Sequence, residues 1–218
     1  MGIDINIRIT GSAGQGVHTA GAFISRIAVA AGYHFHSTQD YMSRIRGGRN
    51  SFSIRMMDVP VRAGRAVADI LLALDPGHLS HFLPGLRPDG LAFSDTPTVG
   101  ETGRVTAAPL KELAASAGSP ILGNMAGAGI VAHALGVSPR MMDQLLALEF
   151  HGEILEKNRK AVRLGSEWAS GRLTEGTGRH AATTPAPPSS SSANPSRPAV
   201  PGRRSLGPTT NWGPWSCP

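Results

Sequence analysis

Two short stretches of this 218-residue chain carry the residues that could hold a charged ligand. The first is Thr10-Gly11-Ser12-Ala13-Gly14-Gln15-Gly16. Glycines at three of six positions let a backbone turn sharply and aim several N–H groups at one spot. The proline-free, Ala-rich segment behind it, Val17 to Ala31, predicts a helix whose positive end points at the same spot. Together these describe an anion site, most naturally for a phosphate. The second stretch is Arg44-Ile45-Arg46-Gly47-Gly48-Arg49, with three guanidinium groups on a glycine-flexed loop. Such groups grip a small polyanion bidentately, or pair with carboxylates of a partner chain. The glycine spacing is G-x-x-G-x-G, not the G-x-G-x-x-G of dinucleotide binding. A turn of this kind can also serve only to pack the first helix tightly on a sheet.

The elements that must position these residues alternate in type. Ile3, Ile5, Ile7 and Ile9 predict a strand that runs into the glycine turn, and the following helix spans Gln15 to Ala31, stopped by Gly32. Tyr33–Thr38 is a second strand and Gln39–Arg49 a loop. Ser51–Met57 alternates as a half-exposed strand does, and is expected to be antiparallel or at an edge. Val67–Leu74 is almost wholly apolar and predicts a strand buried on both faces, with Asp75-Pro76-Gly77 at its carboxyl end, where ligands bind in open α/β sheets.

Further along, a short helix is expected over His78–Leu83, a turn at Pro88-Asp89-Gly90, and strands at Leu91–Ser94, Arg104–Ala107 and Ile121–Leu122. Helices are expected over Pro109–Ala117, Asn124–Leu135, Ser138–Leu148 and Glu153–Ala169. Gly127 and Gly129 cost a helix roughly 1 kcal/mol each against alanine, which a close approach to a neighbouring element would offset. Strands alternating with helices give an α/β class: a Rossmann-like layered domain with a mostly parallel sheet over residues 1–173. Residues 174–218, rich in Pro, Ser and Gly, read as a disordered tail.

Composition narrows the function. The net charge of +6 could suit nucleic acid, but part of the excess lies in the tail and the rest is dispersed apart from the Arg44–Arg49 cluster, so no nucleic-acid partner is expected. The single cysteine, Cys217, excludes an internal disulfide and an iron–sulfur cluster built from this chain alone. No leader pattern and no membrane-length apolar run occur, so the expected location is cytoplasmic, with no membrane partner.

The remaining polar candidates have plain readings. His34 and His36 share a strand face without a third ligand at a telling distance. His78 and His81 are expected in a solvated turn, and Glu149, Glu153 and Glu156 on a solvated helix face. Asp40 stands where an NAD-binding protein places its ribose acid, a reading the glycine spacing disfavours. Asn124 and Met125 are expected to line the same cleft as the glycine turn.

Three landmarks in order, ITGSAGQGV, DYMSRIRGGRNSFSIR and ADILLALDP, resemble the gamma-type domain of 2-oxoacid:ferredoxin oxidoreductases, the pyruvate/ketoisovalerate family. The likeness covers about Ile3 to Ala169 and is strongest to the version fused at the N-terminus of the alpha chain in 2-oxoglutarate-type enzymes. There a thiamine-pyrophosphate-pyrimidine-binding domain follows; here the Pro/Ser tail does. The resemblance implies oxidative decarboxylation of a 2-oxoacid to an acyl-CoA, with electrons passed to ferredoxin. That chemistry needs thiamine diphosphate, magnesium and iron–sulfur clusters. With one cysteine and no GDG…N signature here, these fall to partner alpha and beta subunits, and this chain carries no catalytic or metal-ligating residue. The gamma-type domain is associated with coenzyme A and with covering the active site. Gly11, Gly14, Gln15 and Gly16 at one end, and Arg44, Arg46, Gly47, Gly48 and Arg49 at the other, are the residues expected to hold coenzyme A. A Rossmann-like NAD-binding protein and a purely structural assembly subunit are the rival readings.

Overall fold

The computed structural model of the chain describes residues 2–41, 48–96 and 104–173. Arg44, Arg46 and Gly47, and the whole segment 174–218, lie outside the described residues. Strand β1 (Asp4–Gly11) leads through the glycine turn into helix α1 (Val17–Ala30). Strands β2 (His34–Asp40), β3 (Asn50–Met57) and β4 (Ala68–Ala73) follow. A run of short helical turns, with α2 (Leu79–Phe82) at its centre, joins β4 to β5 (Leu86–Ser94). Then come β6 (Thr106–Ala107), α3 (Leu110–Ala117), α4 (Gly123–Ala134), α5 (Pro139–Glu149) and α6 (Gly152–Ser170).

The sheet has the order β2-β3-β1-β4-β5-β6. β1, β4, β5 and β6 are parallel in turn, while β3 is antiparallel to both its neighbours. The α/β layering and the mostly parallel sheet are therefore as expected. Alternation along β1 sends Ile5, Ile7 and Ile9 into the main core beside Phe23, Ile24 and Ile27 of α1. β4 is buried along its whole length because both its faces are covered: Ile70 and Leu72 join the main core, Leu71 and Ala73 a smaller one under Leu79 and Leu83.

α4 packs between the sheet and α6, and its two interior glycines, Gly127 and Gly129, are where the approach is closest. A Cβ on Gly127 would stand 2.8 Å from a Leu72 methyl, and one on Gly129 would overlap the Val162 carbonyl of α6. In return, a Cβ on Gly165 of α6 would overlap the Ala126 carbonyl. This mutual contact is the offset that the glycine-bearing helix required.

Four expectations need correction. β3 is not half exposed or at an edge: it is antiparallel but interior, because β2 pairs along its outer side and Arg8 donates to Ser53 across the face opposite α1. Gln39 and Asp40 belong to β2, not to the loop. Pro88-Asp89-Gly90 is not a turn between strands; it bulges within β5, between the pairs Ala68–Leu86 and Ile70–Leu91. Ile121-Leu122 is not a strand but part of a 3₁₀ turn, Pro120–Leu122, since Pro120 at its first position presets a helical φ and leaves Ile121 exposed.

Candidate functional site

The glycine turn sits at the carboxyl end of β1, beside those of β4 and β5, where open α/β sheets bind ligands. Gly14 (φ 85°) and Gly16 (φ 74°) occupy the left-handed region, which only glycine enters freely. Gly11 is needed for space: a Cβ there would lie 2.8 Å from Gln15 Oε1 and 3.0 Å from a Val17 methyl. Gln15 Oε1 accepts from the Ser12 N–H at 2.6 Å, and the Gln15 N–H donates back to the Ser12 carbonyl at 3.2 Å. One of the amides expected to face a ligand is thus held by the turn's own side chain. Beyond it, the first turn of α1 has no side-chain cap and no acidic residue, so its positive end is not neutralised locally.

Two further elements hold this turn in place. From α4, Asn124 Nδ2 donates to the Gly16 carbonyl at 3.3 Å, and a Cβ on Gly16 would fall on that same amide. Behind β4, Asp75 accepts the Ser12 hydroxyl at 2.6 Å and the Gly77 N–H at 3.0 Å. The Ser12 hydrogen bond is the main reason the Asp75 carboxyl is held below the usual carboxylate range; partial burial works against it, and the Gly77 N–H, His78 and Lys111 add to it. His78 is buried, not solvated as expected, with Nε2 3.8 Å from Asp75 Oδ2.

A cavity of about 400 Å³ opens beside the turn, lined by Gly14, Gln15, Leu74, Lys111 and Asn124 among others. Lys111 reaches its rim at the start of α3, where its N–H donates to Asp95 Oδ1 at 3.1 Å and its ammonium stands 3.3 Å from Asp95 Oδ2. A larger groove of about 630 Å³ runs between α5 and α6, but Arg159 within it is bound to Glu156 and Asp143 at 2.6 Å each, so its charge is already matched. The cavity at the strand ends differs in bordering the glycine turn that leads into the uncapped start of α1, which favours an anion.

The second sequence motif arrives from the opposite direction. Because β3 runs antiparallel to β1, Asn50 at its start pairs with Gly11 at the end of β1. The loop that precedes β3 thus enters beside the glycine turn, with Gly48 buried and Arg49 exposed. Gly11, Gly14, Gln15, Gly16, Gly48 and Arg49 share one end of the sheet. Asn124 lines the cavity as expected, while Met125 is buried in the main core. Asp40 ends β2, which β3 separates from β1, and accepts from Ser51 at 3.3 Å. Glu149, which ends α5, is half-buried and pairs with Arg26, so it is not on the expected solvated face; Glu153 and Glu156 are exposed on α6, paired with Lys157 at 2.7 Å and Arg159 at 2.6 Å. Ser12, Lys111 and Asp95 were not singled out from sequence; Ser12 lies inside the quoted motif, whereas nothing local marks the other two.

Residues 6–168 match the family model described as pyruvate ferredoxin/flavodoxin oxidoreductase. The chain is 28% identical over 166 residues to the 2-oxoglutarate synthase subunit KorC of Archaeoglobus fulgidus, a match covering 75% of this chain and 87% of that one. Its fold is similar to that of a keto/oxoacid ferredoxin oxidoreductase gamma subunit from Geobacter sulfurreducens, with a TM-score of 0.65, 24% identity, and coverage of 77% and 99%. It is also similar to the 2-oxoglutarate:ferredoxin oxidoreductase from Magnetococcus marinus, with 2-oxoglutarate, coenzyme A and succinyl-CoA bound. There the TM-score is 0.70 at 20% identity, covering 77% of this chain but only 31% of that longer one. Among the described residues no helix is long and apolar enough to cross a membrane. A family match spanning most of the chain makes it a member of the pyruvate ferredoxin/flavodoxin oxidoreductase family.

Proposed function

We propose that this chain binds coenzyme A for a 2-oxoacid:ferredoxin oxidoreductase and covers an active site carried by partner alpha and beta subunits. The observation that carries this reading is the pairing of Gly11 with Asn50, which brings the glycine turn and the end of the Arg-bearing loop to one end of the sheet. Coenzyme A has a diphosphate and a ribose 3′-phosphate. An uncapped helix start suits the first, and guanidinium groups suit either. The coenzyme A named with the Magnetococcus structure supports the ligand's identity. Thiamine diphosphate, magnesium and the iron–sulfur clusters, with the decarboxylation and the electron transfer to ferredoxin, belong to the partner chains, and this chain is inactive without them.

Thermal melting of the full chain with coenzyme A and with NAD(H) tests the reading, since a ligand that binds only the folded state raises the melting temperature with concentration. Coenzyme A is expected to stabilise and NAD(H) not; selective stabilisation by NAD(H) would overturn the proposal. In the assembled complex, Arg46→Ala and Arg49→Ala should each raise the coenzyme A KM about tenfold, the loss of one charge-assisted contact. Unchanged KM in both variants, with normal assembly, would leave a structural role only.

A further inference from the structure

The two edges of the sheet are built differently. At one, β6 is only two residues long. At the other, β2 runs seven residues in unbroken antiparallel register with β3, and no described strand lies along its outer side. An exposed strand edge presents a row of unpaired N–H and C=O groups, and proteins ordinarily blunt it with lysine, proline, a bulge or shortness. β6 is blunted by shortness. β2 has none of these devices: its sequence is His-Phe-His-Ser-Thr-Gln-Asp, and every residue except His36 is exposed, Phe35 included.

The strand is also complementary to itself. In an antiparallel pair of two copies centred on Ser37, His34 faces Asp40, Phe35 faces Gln39 and His36 faces Thr38. Each end of the pair sets an imidazole against a carboxylate, and the two-fold axis repeats the match. A second copy supplies these complements automatically, as isologous interfaces do. We infer that β2 is a homodimer interface, at which two chains pair strand to strand about a two-fold axis through Ser37 and join their sheets. This stands apart from the coenzyme A reading and does not depend on it.

The test is light scattering on the full-length chain at high micromolar concentration. A dimer is expected, with Asp40→Lys monomeric because lysine then faces His34, and with the double variant His34→Asp/Asp40→Lys dimeric again because the charges are matched in reverse. In a Cys217→Ser background, Ser37→Cys should oxidise to a disulfide-linked dimer, and Ser80→Cys, exposed away from β2, should not. The cysteine pair decides the matter if a charge variant fails to fold. A wild-type chain that stays monomeric, or a dimer untouched by Asp40→Lys and not captured through Ser37→Cys, would overturn the inference. So would protection of β2 that appears only when a different subunit is added.

Discussion

The Ser12 hydroxyl donates to Asp75 Oδ2 at 2.6 Å, tying the glycine turn after β1 to the segment that leaves β4. It joins residues from the carboxyl ends of two adjacent parallel strands, so it fixes the cleft wall from behind. Asp75→Asn should lower stability by about 1 kcal/mol at neutral pH, as loss of a hydrogen bond to a partly exposed charged group does. The sign of the pH dependence follows from the carboxyl's depressed position. Its contribution is full above the ordinary carboxylate range and is lost as pH falls through the folded-state value. Urea denaturation of both proteins across acid pH should therefore show their difference shrinking as the pH drops.

Gly16 and Gly14 offer a contrast. Both sit at positive φ, but a Cβ on Gly14 meets nothing within 4 Å, while one on Gly16 falls on the Asn124 amide. Gly14→Ala should cost about 1 kcal/mol, the conformational term alone. Gly16→Ala should cost more, and adding Asn124→Ala should recover the steric part but not the rest. A double-mutant cycle of chemical denaturation checks this coupling.

Gly165→Ala inverts the usual helix rule. In an open helix the change would stabilise by about 1 kcal/mol. Here the new methyl meets the Ala126 backbone carbonyl of α4, which cannot swing aside. A loss of about 2–3 kcal/mol is expected, read as a fall in melting temperature of about 5–10 °C for a domain of this size.

Asp69 is fully buried on β4, where one carboxylate oxygen accepts the Asn6 N–H at 2.6 Å and pairs with Arg65, and the other lies 3.5 Å from Arg87. Removing the carboxylate by Asp69→Ala leaves the buried Asn6 N–H without its acceptor, while Arg65 keeps Asp4 and Arg87 keeps Asp89. A loss of about 2–3 kcal/mol is expected by urea denaturation, whereas Asp89→Ala, at the exposed partner of Arg87, should change little.

What was legible in the sequence was what is local. The isoleucines of β1, the apolar run of β4 and the glycines of α4 each announce themselves by spacing or residue type. Proline was misread twice. At Pro120 it opens a 3₁₀ turn where an apolar pair suggested a strand, and at Pro88 a bulge continues the strand where a turn was expected. The cleft was only half legible for a different reason. Lys111 and Asp95 reach it through contacts between elements far apart in the chain, and no local pattern encodes such a meeting. His78 was expected in solvent because the packing of the turns over β4 is not visible from their polarity.

The reversed direction of β3 sets both ends of the segment before it. Its pairing with β1 anchors the far end of the loop at Asn50, and β2 anchors the near end at Asp40, so both stems are set by strand register and not by what lies between. The connecting segment is in effect an exchangeable cassette. Changes to its length and charge are expected to leave the glycine turn, the core and the outer helices in place.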